Sequence, residues 1–186
     1  MSDSVWPWIF IALVLFWAMG AYNRLVRLRT QSKMSFVALE GLLNQYVLIV
    51  KTNYRLVEIG MSLPEVCHGN NSGTDAWVGL SEAAEQFNTL LRAVHALPLN
   101  ESTMRALGTA LGALRLCWSQ LLDLPPDLAG PVLPGTLQLQ WERLEKQVDT
   151  AQAEFSKQVV NYNAAIDQFP AVLMARIFGF KPAQPI

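Results

Sequence analysis

Apolar residues recur along much of this chain at alternating steps of three and four, the spacing of helices that bury one stripe. The exception comes first: from Val5 to Tyr22 the run VWPWIFIALVLFWAMGAY is apolar on every face and carries no charge. Beyond it, Leu25, Leu28, Leu39, Leu42, Tyr46, Ile49 and Leu56 predict one helical stripe, with Ser32, Ser35 and Asn53 as its polar members. The stretch MSLPEVCHGNNSGTD then breaks helical periodicity with proline, glycine and paired asparagines. Trp77, Leu80, Ala84, Phe87, Leu91 and Val94 mark a second helix that stops at Pro98. After the short link LPLN, Asn100 is placed to cap a third helix, whose seam is Met104, Leu107, Leu111, Leu114, Trp118 and Leu121. A proline-rich loop, DLPPDLAGPVLPG, leads to a fourth helix buried through Leu137, Trp141, Leu144, Val148, Ala151, Phe155, Val159, Tyr162, Ile166 and Phe169. Its step from Phe155 to Val159 adds an extra four, a stutter that locally relaxes left-handed supercoiling.

Four such helices bury their stripes together most simply as an up-and-down bundle. The predicted fold class is therefore all-α: an N-terminal transmembrane helix continuing into an up-and-down antiparallel helical bundle. The expected organisation is a membrane anchor over residues 1–23, a cytoplasmic bundle over 24–170 and an apolar C-terminal tail over 171–186. With four helices alternating in direction, the tail returns to the end of the bundle where the first helix enters. Val172, Leu173, Met174, Ile177, Phe178 and Phe180 can there cap the core or enter the headgroup boundary, with Arg176 and Lys181 placed to meet anionic lipid.

Charge gives the anchor a direction. At about 1.5 Å per residue the uncharged run reaches about 27 Å, close to the hydrocarbon thickness of about 30 Å. Trp6 and Trp8 at one end and Trp17 and Tyr22 at the other stand where aromatic belts meet headgroups, and Pro7 falls in the first turn, where a missing N–H costs little. Asp3 precedes the run, whereas Arg24, Arg27, Arg29 and Lys33 follow it, so the positive-inside rule puts the remainder in the cytoplasm. The competing reading is a signal peptide cleaved near Ala18-Met19-Gly20, but a secretory signal begins with a basic segment and this one begins acidic. Acids outnumber bases from residue 75 onward, which disfavours a phosphate-binding face and excludes nucleic acid as the expected partner. Cys67 and Cys117 are read as reduced thiols.

Two segments carry a resemblance. Ala21-Tyr22-Asn23-x-Leu25-Val26-x-Leu28-Arg29 follows the apolar run. Val159-x-x-Tyr162-Asn163-x-x-Ile166-x-x-Phe169-Pro170-x-x-Leu173-x-Ala175-x-x-Phe178-Gly179-Phe180-Lys181-Pro182 closes the chain. Together they resemble the LemA family. The resemblance implies a single-span protein of the bacterial cytoplasmic membrane, with its N-terminus outside and a helical bundle in the cytoplasm. It supplies no biochemical role. The first long helix departs from the family's usual pattern of an Arg-containing basic stretch followed by Asp-Leu-Ile-Pro-Asn-Leu: this chain reads ALEGLLNQYVLIVKTN there.

Candidate chemistry is sparse. No G-x-S-x-G, P-loop or dinucleotide fingerprint occurs, and the histidines are only His68 and His95. Glu65-Val-Cys67-His68 has the E-x-x-H spacing of bundle metal sites, with Glu82 and Glu85 as further carboxylates, but a second E-x-x-H is lacking. His95 is expected beside the C-terminus of the second helix. Tyr162 and Asn163 are read as a buried tyrosine with a neighbouring amide, and Trp77, Trp118 and Trp141 as packing residues. Gly108 and Gly112 would admit another helix closely. Asn100-Glu101-Ser102 matches a glycosylation sequon that this topology turns to the cytoplasm. The expected function is a non-catalytic scaffold or adaptor at the bilayer, without cofactor, holding an unidentified membrane or cytoplasmic protein. Gly20 and its small neighbours allow contact with a second copy, a homo-oligomer, in the bilayer. The alternative is a metal-dependent enzyme or sensor using Glu65, Cys67 and His68.

Overall fold

The computed structural model describes residues 5–61, 72–96, 98–124, 135–169 and 171–186. They form five helices: α1 Val5–Met61, α2 Ser72–Ala96, α3 Glu101–Leu122, α4 Gly135–Asp167 and α5 Ala171–Phe178. The apolar run and the first bundle helix are one continuous α1 of 57 residues, about 85 Å at the helical rise. Between Ala21 and Ile59 its only glycine or proline is Gly41, whose surroundings are open.

Helix α1 lies at the centre, packed along α4 on one side, α2 on another and α5 at its apolar end, while α2 pairs with α3. The α2–α3 reversal is tight. Asn100, in extended conformation, caps α3 by accepting from the Ser102 and Thr103 backbone N–H groups, which satisfies donors the helix itself cannot. Leu99 turns the corner at φ 70° and packs against the core, so contact with the interior offsets the cost of a left-handed backbone at a branched residue.

The predicted seams of α2 and α3 are buried throughout, and that of α4 is buried as far as Ile166 except for a half-buried Ala151. Two expectations are corrected. Phe169 lies two residues past the end of α4, in the turn where the helical stripe no longer applies, and is 74 % exposed. In α1 the stripe sits one position further round: Leu25, Ser32, Phe36, Leu39, Leu43, Tyr46, Val47 and Val50 are buried, Leu28, Leu42 and Ile49 are at its margin, and Leu56 is exposed. The physical reason is that α1 touches α2, α4 and α5 together, so its buried face is wider than one stripe and centres between two. Ser32 is fully buried, and its hydroxyl donates to the Leu28 carbonyl at 3.1 Å and to the Gln158 carbonyl of α4 at 3.2 Å.

Among the described residues, no Cα atoms of α3 and α4 approach within 8 Å. Side chains bridge the gap instead. Trp118 of α3 stacks on Trp141 of α4 at 4.2 Å between ring centres, and Trp141 meets Tyr46 of α1 at 4.5 Å. Beside this stack Arg115 reaches across to Asp149 at 2.7 Å and Glu145 at 3.4 Å. Burial lowers the proton affinity of its guanidinium, but the Asp149 carboxylate and the neighbouring Tyr46 hydroxyl together more than offset this, and the group is held above its ordinary value.

Candidate membrane-facing site and C-terminal clamp

The residues of the closing motif converge on the end of the bundle where α1 becomes apolar on all sides. Helix α5 is short and packs against both α1 and α4. Its backbone continues the α4 corner through a bond from Val172 N–H to the Gln168 carbonyl at 3.0 Å. It ends in a Schellman turn: Gly179 adopts φ 68°, and the Phe180 N–H donates to the Ala175 carbonyl at 2.9 Å. Glycine is needed there because only it enters the left-handed region without steric cost.

That turn sends the chain back. From Phe180 to Ile186 there is no regular secondary structure, and the segment runs along α4 toward its N-terminus, in the gap beside α3. Four side chains hold it. The Tyr162 hydroxyl donates to the Lys181 carbonyl at 3.1 Å. Asn163 both donates to the Ala183 carbonyl at 2.7 Å and accepts from the Ala183 N–H at 2.9 Å. The Gln152 amide donates to the Ile186 carbonyl at 2.7 Å, and Arg105 of α3 donates to the Gln184 side chain at 3.3 Å. Ala183 is buried. Tyr162 and Asn163 are therefore an internal clamp: a primary amide is the one uncharged side chain that can pair with both the N–H and C=O of a single extended residue. Burial pushes the Tyr162 phenol above its ordinary 10.0, against the opposing pull of Arg29.

Gly108 meets this segment and no helix: a Cβ there would lie 3.4 Å from the Ile186 side chain, while Gly112 faces open space. The expected close helix approach at these glycines is thus replaced by the C-terminal segment at one of them.

On the α1 side, aromatic rings form a continuous set of contacts. Trp17 meets Phe169 at 5.6 Å, Tyr22 meets Phe178 at 4.8 Å and Phe180 at 6.0 Å, and the Arg29 guanidinium lies 5.5 Å from the centre of the Phe180 ring. Around them the surface is apolar: Trp6, Trp8, Phe10, Phe16 and Trp17 of α1 are exposed, as are Asn23, Arg24 and Arg27 at its basic end. Helix α1 is the one described helix long and apolar enough to cross a membrane, and its apolar window is only 6 % buried. A core helix of that composition would be enclosed.

Other expected sites are placed differently. Glu65, Cys67, His68 and Pro170 lie outside the described residues. Glu82 is exposed, and Glu85 pairs with Lys51 at 2.8 Å, a contact that holds its carboxyl below the ordinary range. His95 stands in the last turn of α2, as expected, and its Nδ1 also lies 2.9 Å from Glu40 of α1, a link between helices that the sequence did not show. Among the described residues no three His, Cys, Asp or Glu side chains gather into a metal-binding group. Trp77, Trp118 and Trp141 are buried in the core.

A helical bundle whose first helix extends as an apolar stalk, with a closing segment clamped back onto the bundle, defines the class of this molecule. The sequence model of the LemA family matches residues 100–185, so that over the stretch from α3 through the clamped segment the chain is similar to that family. Beyond the closing motif the match takes in α3 and the rest of α4, and it leaves α1 and α2 outside, the Ala21–Arg29 segment of the resemblance among them. No curated protein and no solved structure matches the chain.

Proposed function

We propose that this chain is a bacterial cytoplasmic-membrane protein with a single span in α1, its N-terminus outside, and a cytoplasmic bundle that serves as a non-catalytic scaffold holding a partner protein at the bilayer. The anchor is residues 1–23 and the interaction module is the bundle of residues 24–170. The observation that carries this reading is the exposed apolar surface of α1 up to Tyr22, followed at once by Arg24, Arg27, Arg29 and Lys33. An apolar helix surface in contact with water on every side is strongly unfavourable, at about 25 cal/mol per Å², whereas lipid makes it the stable solvent-facing state.

Continuity favours an anchor over a cleaved signal. Helix α1 runs unbroken through Ala18-Met19-Gly20, and cleavage there would part Trp17 from Phe169, a contact between the apolar run and the bundle. The test is fractionation of cells producing the full chain. Resistance to alkaline carbonate together with an intact N-terminus is expected; release into the soluble fraction, or a mature N-terminus near residue 21, overturns the reading. For the scaffold role, crosslinking in native membranes should capture a specific protein in stoichiometric amount, and failure to capture any refutes it.

A further inference from the structure

Helix α5 is built inside out. Its alanines face inward, Ala171 at 8 % and Ala175 at 3 % exposure, while Leu173, Ile177 and Phe178 stand 48 %, 70 % and 57 % exposed, and neighbouring Phe169 is 74 % exposed. A helix that merely capped the core would turn these large side chains in and leave its alanines outside, since burial of a large apolar side chain is worth far more than burial of a methyl group. Here the small residues let α5 lie close on α1 and α4, and the large ones are left to whatever surrounds the bundle.

Position identifies that surrounding. Phe169 packs on Trp17 and Phe178 on Tyr22, residues within the apolar run. Trp17 precedes Arg24 by seven helical positions, so its level is about 10 Å along the axis on the membrane side of that arginine. The apolar face of α5 is continuous with the exposed apolar face of α1, and it is flanked by the exposed bases Arg24, Arg176 and Lys181. From this geometry we infer that α5 and Phe169 form a second membrane contact, an interfacial wedge seated at the cytoplasmic headgroup and acyl boundary beside the span. Its occupant is the lipid surface; apolar side chains below and bases at the rim match acyl chains and anionic headgroups in turn. This deepens the anchor reading and rests on it. The bundle is then attached at two points, which fixes its tilt on the bilayer; a lone α1 would leave it free to swing.

The test uses the full chain in vesicles of phosphatidylcholine and phosphatidylglycerol, in a Cys67→Ser, Cys117→Ala background. Spin labels are placed singly by Leu173→Cys, Ile177→Cys, Leu116→Cys and Val14→Cys, each at an exposed side chain so that folding is preserved. Accessibility to oxygen, which partitions into lipid, is compared with accessibility to a water-soluble nickel chelate. The oxygen-to-nickel ratio at 173 and 177 should be several-fold higher than at 116, with 14 higher still. Ratios at 173 and 177 equal to that at 116, with 14 remaining high, overturn the wedge and leave the anchor standing. An aqueous ratio at 14 overturns the anchor and the wedge with it. Low accessibility to both reagents at 173 and 177, with spin broadening that grows with protein density, identifies a second copy of the chain as the occupant and likewise refutes the lipid assignment.

Discussion

Two buried tyrosines separate the value of a hydroxyl from the value of a ring. Tyr162 is buried with its hydroxyl bonded to the Lys181 carbonyl. Tyr46 is equally buried, but its hydroxyl lies beside Arg115 without a well-formed hydrogen bond. Tyr162→Phe should therefore lower stability by about 1 kcal/mol, the net worth of one bond, while Tyr46→Phe should be neutral or stabilising because it removes an unsatisfied polar group; thermal unfolding of the two variants checks the contrast. Burial raises both phenols above 10.0, opposed at Tyr46 by Arg115 and at Tyr162 by Arg29. A raised folded-state value means that the unfolded chain loses its proton first, so the stability is present in full below about pH 10 and falls as pH rises beyond it. Each Phe variant should flatten that alkaline decline. Asn163 admits a sharper test. Asn163→Ala removes both bonds to Ala183 and should cost about 1 to 3 kcal/mol. Asn163→Asp keeps the acceptor for the Ala183 N–H but places a carboxylate oxygen against its carbonyl, so it should not restore stability. Hydrogen exchange at the Ala183 amide should accelerate in both variants while the helical circular dichroism stays unchanged.

The turn after α5 decides where the closing segment goes. Gly179 sits at φ 68° with nothing near enough to meet an added Cβ, so Gly179→Ala meets no steric clash beyond its own backbone, and its cost is the left-handed conformation alone, about 1 kcal/mol. A similar drop in stability with faster exchange at Phe180 is expected; no change would mean that the turn is not what directs the segment. What the amino-acid pattern revealed follows the same division between local and distant causes. The α2 and α3 seams were readable because each of these helices buries a single stripe, and so was the Asn100 cap, which acts on donors two and three residues away. The α1 stripe was displaced because three partner helices widen the buried face, and no periodicity in α1 alone encodes how many neighbours it will have. Tyr162-Asn163 stood out as a pair, yet its role depends on Lys181 and Ala183 arriving by way of the glycine turn. Gln152 and Arg105, the outer contacts of the closing segment, carried no signal, being ordinary polar positions on helix surfaces.

The orientation proposed for the span belongs to the chain as a whole, because that proposal rests on charges outside every packed contact and on both ends of the bundle meeting at one pole. The aromatic contacts from Trp17 to Phe169 and from Tyr22 to Phe178 tie the last helix to the first just where the charge begins. Arg24 and Arg27 are exposed and make no ion pair among the described residues, so neutralising them should leave folding intact and act on the proposed insertion. Arg24→Gln with Arg27→Gln, combined with Ser2→Lys and Ser4→Lys ahead of the run, should level the charge bias across the span, leaving two bases on each side, and send a fraction of the chains through with the bundle outside. A single thiol introduced by Leu116→Cys, in a background without Cys67 and Cys117, reports the result: in intact cells it should resist a membrane-impermeant maleimide in the parent chain and react in the inverted fraction. If the parent thiol reacts as readily before lysis as after, the bundle lies outside the cell, and the basic residues have not set its direction. If the charge-levelled chain remains protected, the bundle itself resists translocation, and its folding at the membrane outweighs the four altered charges.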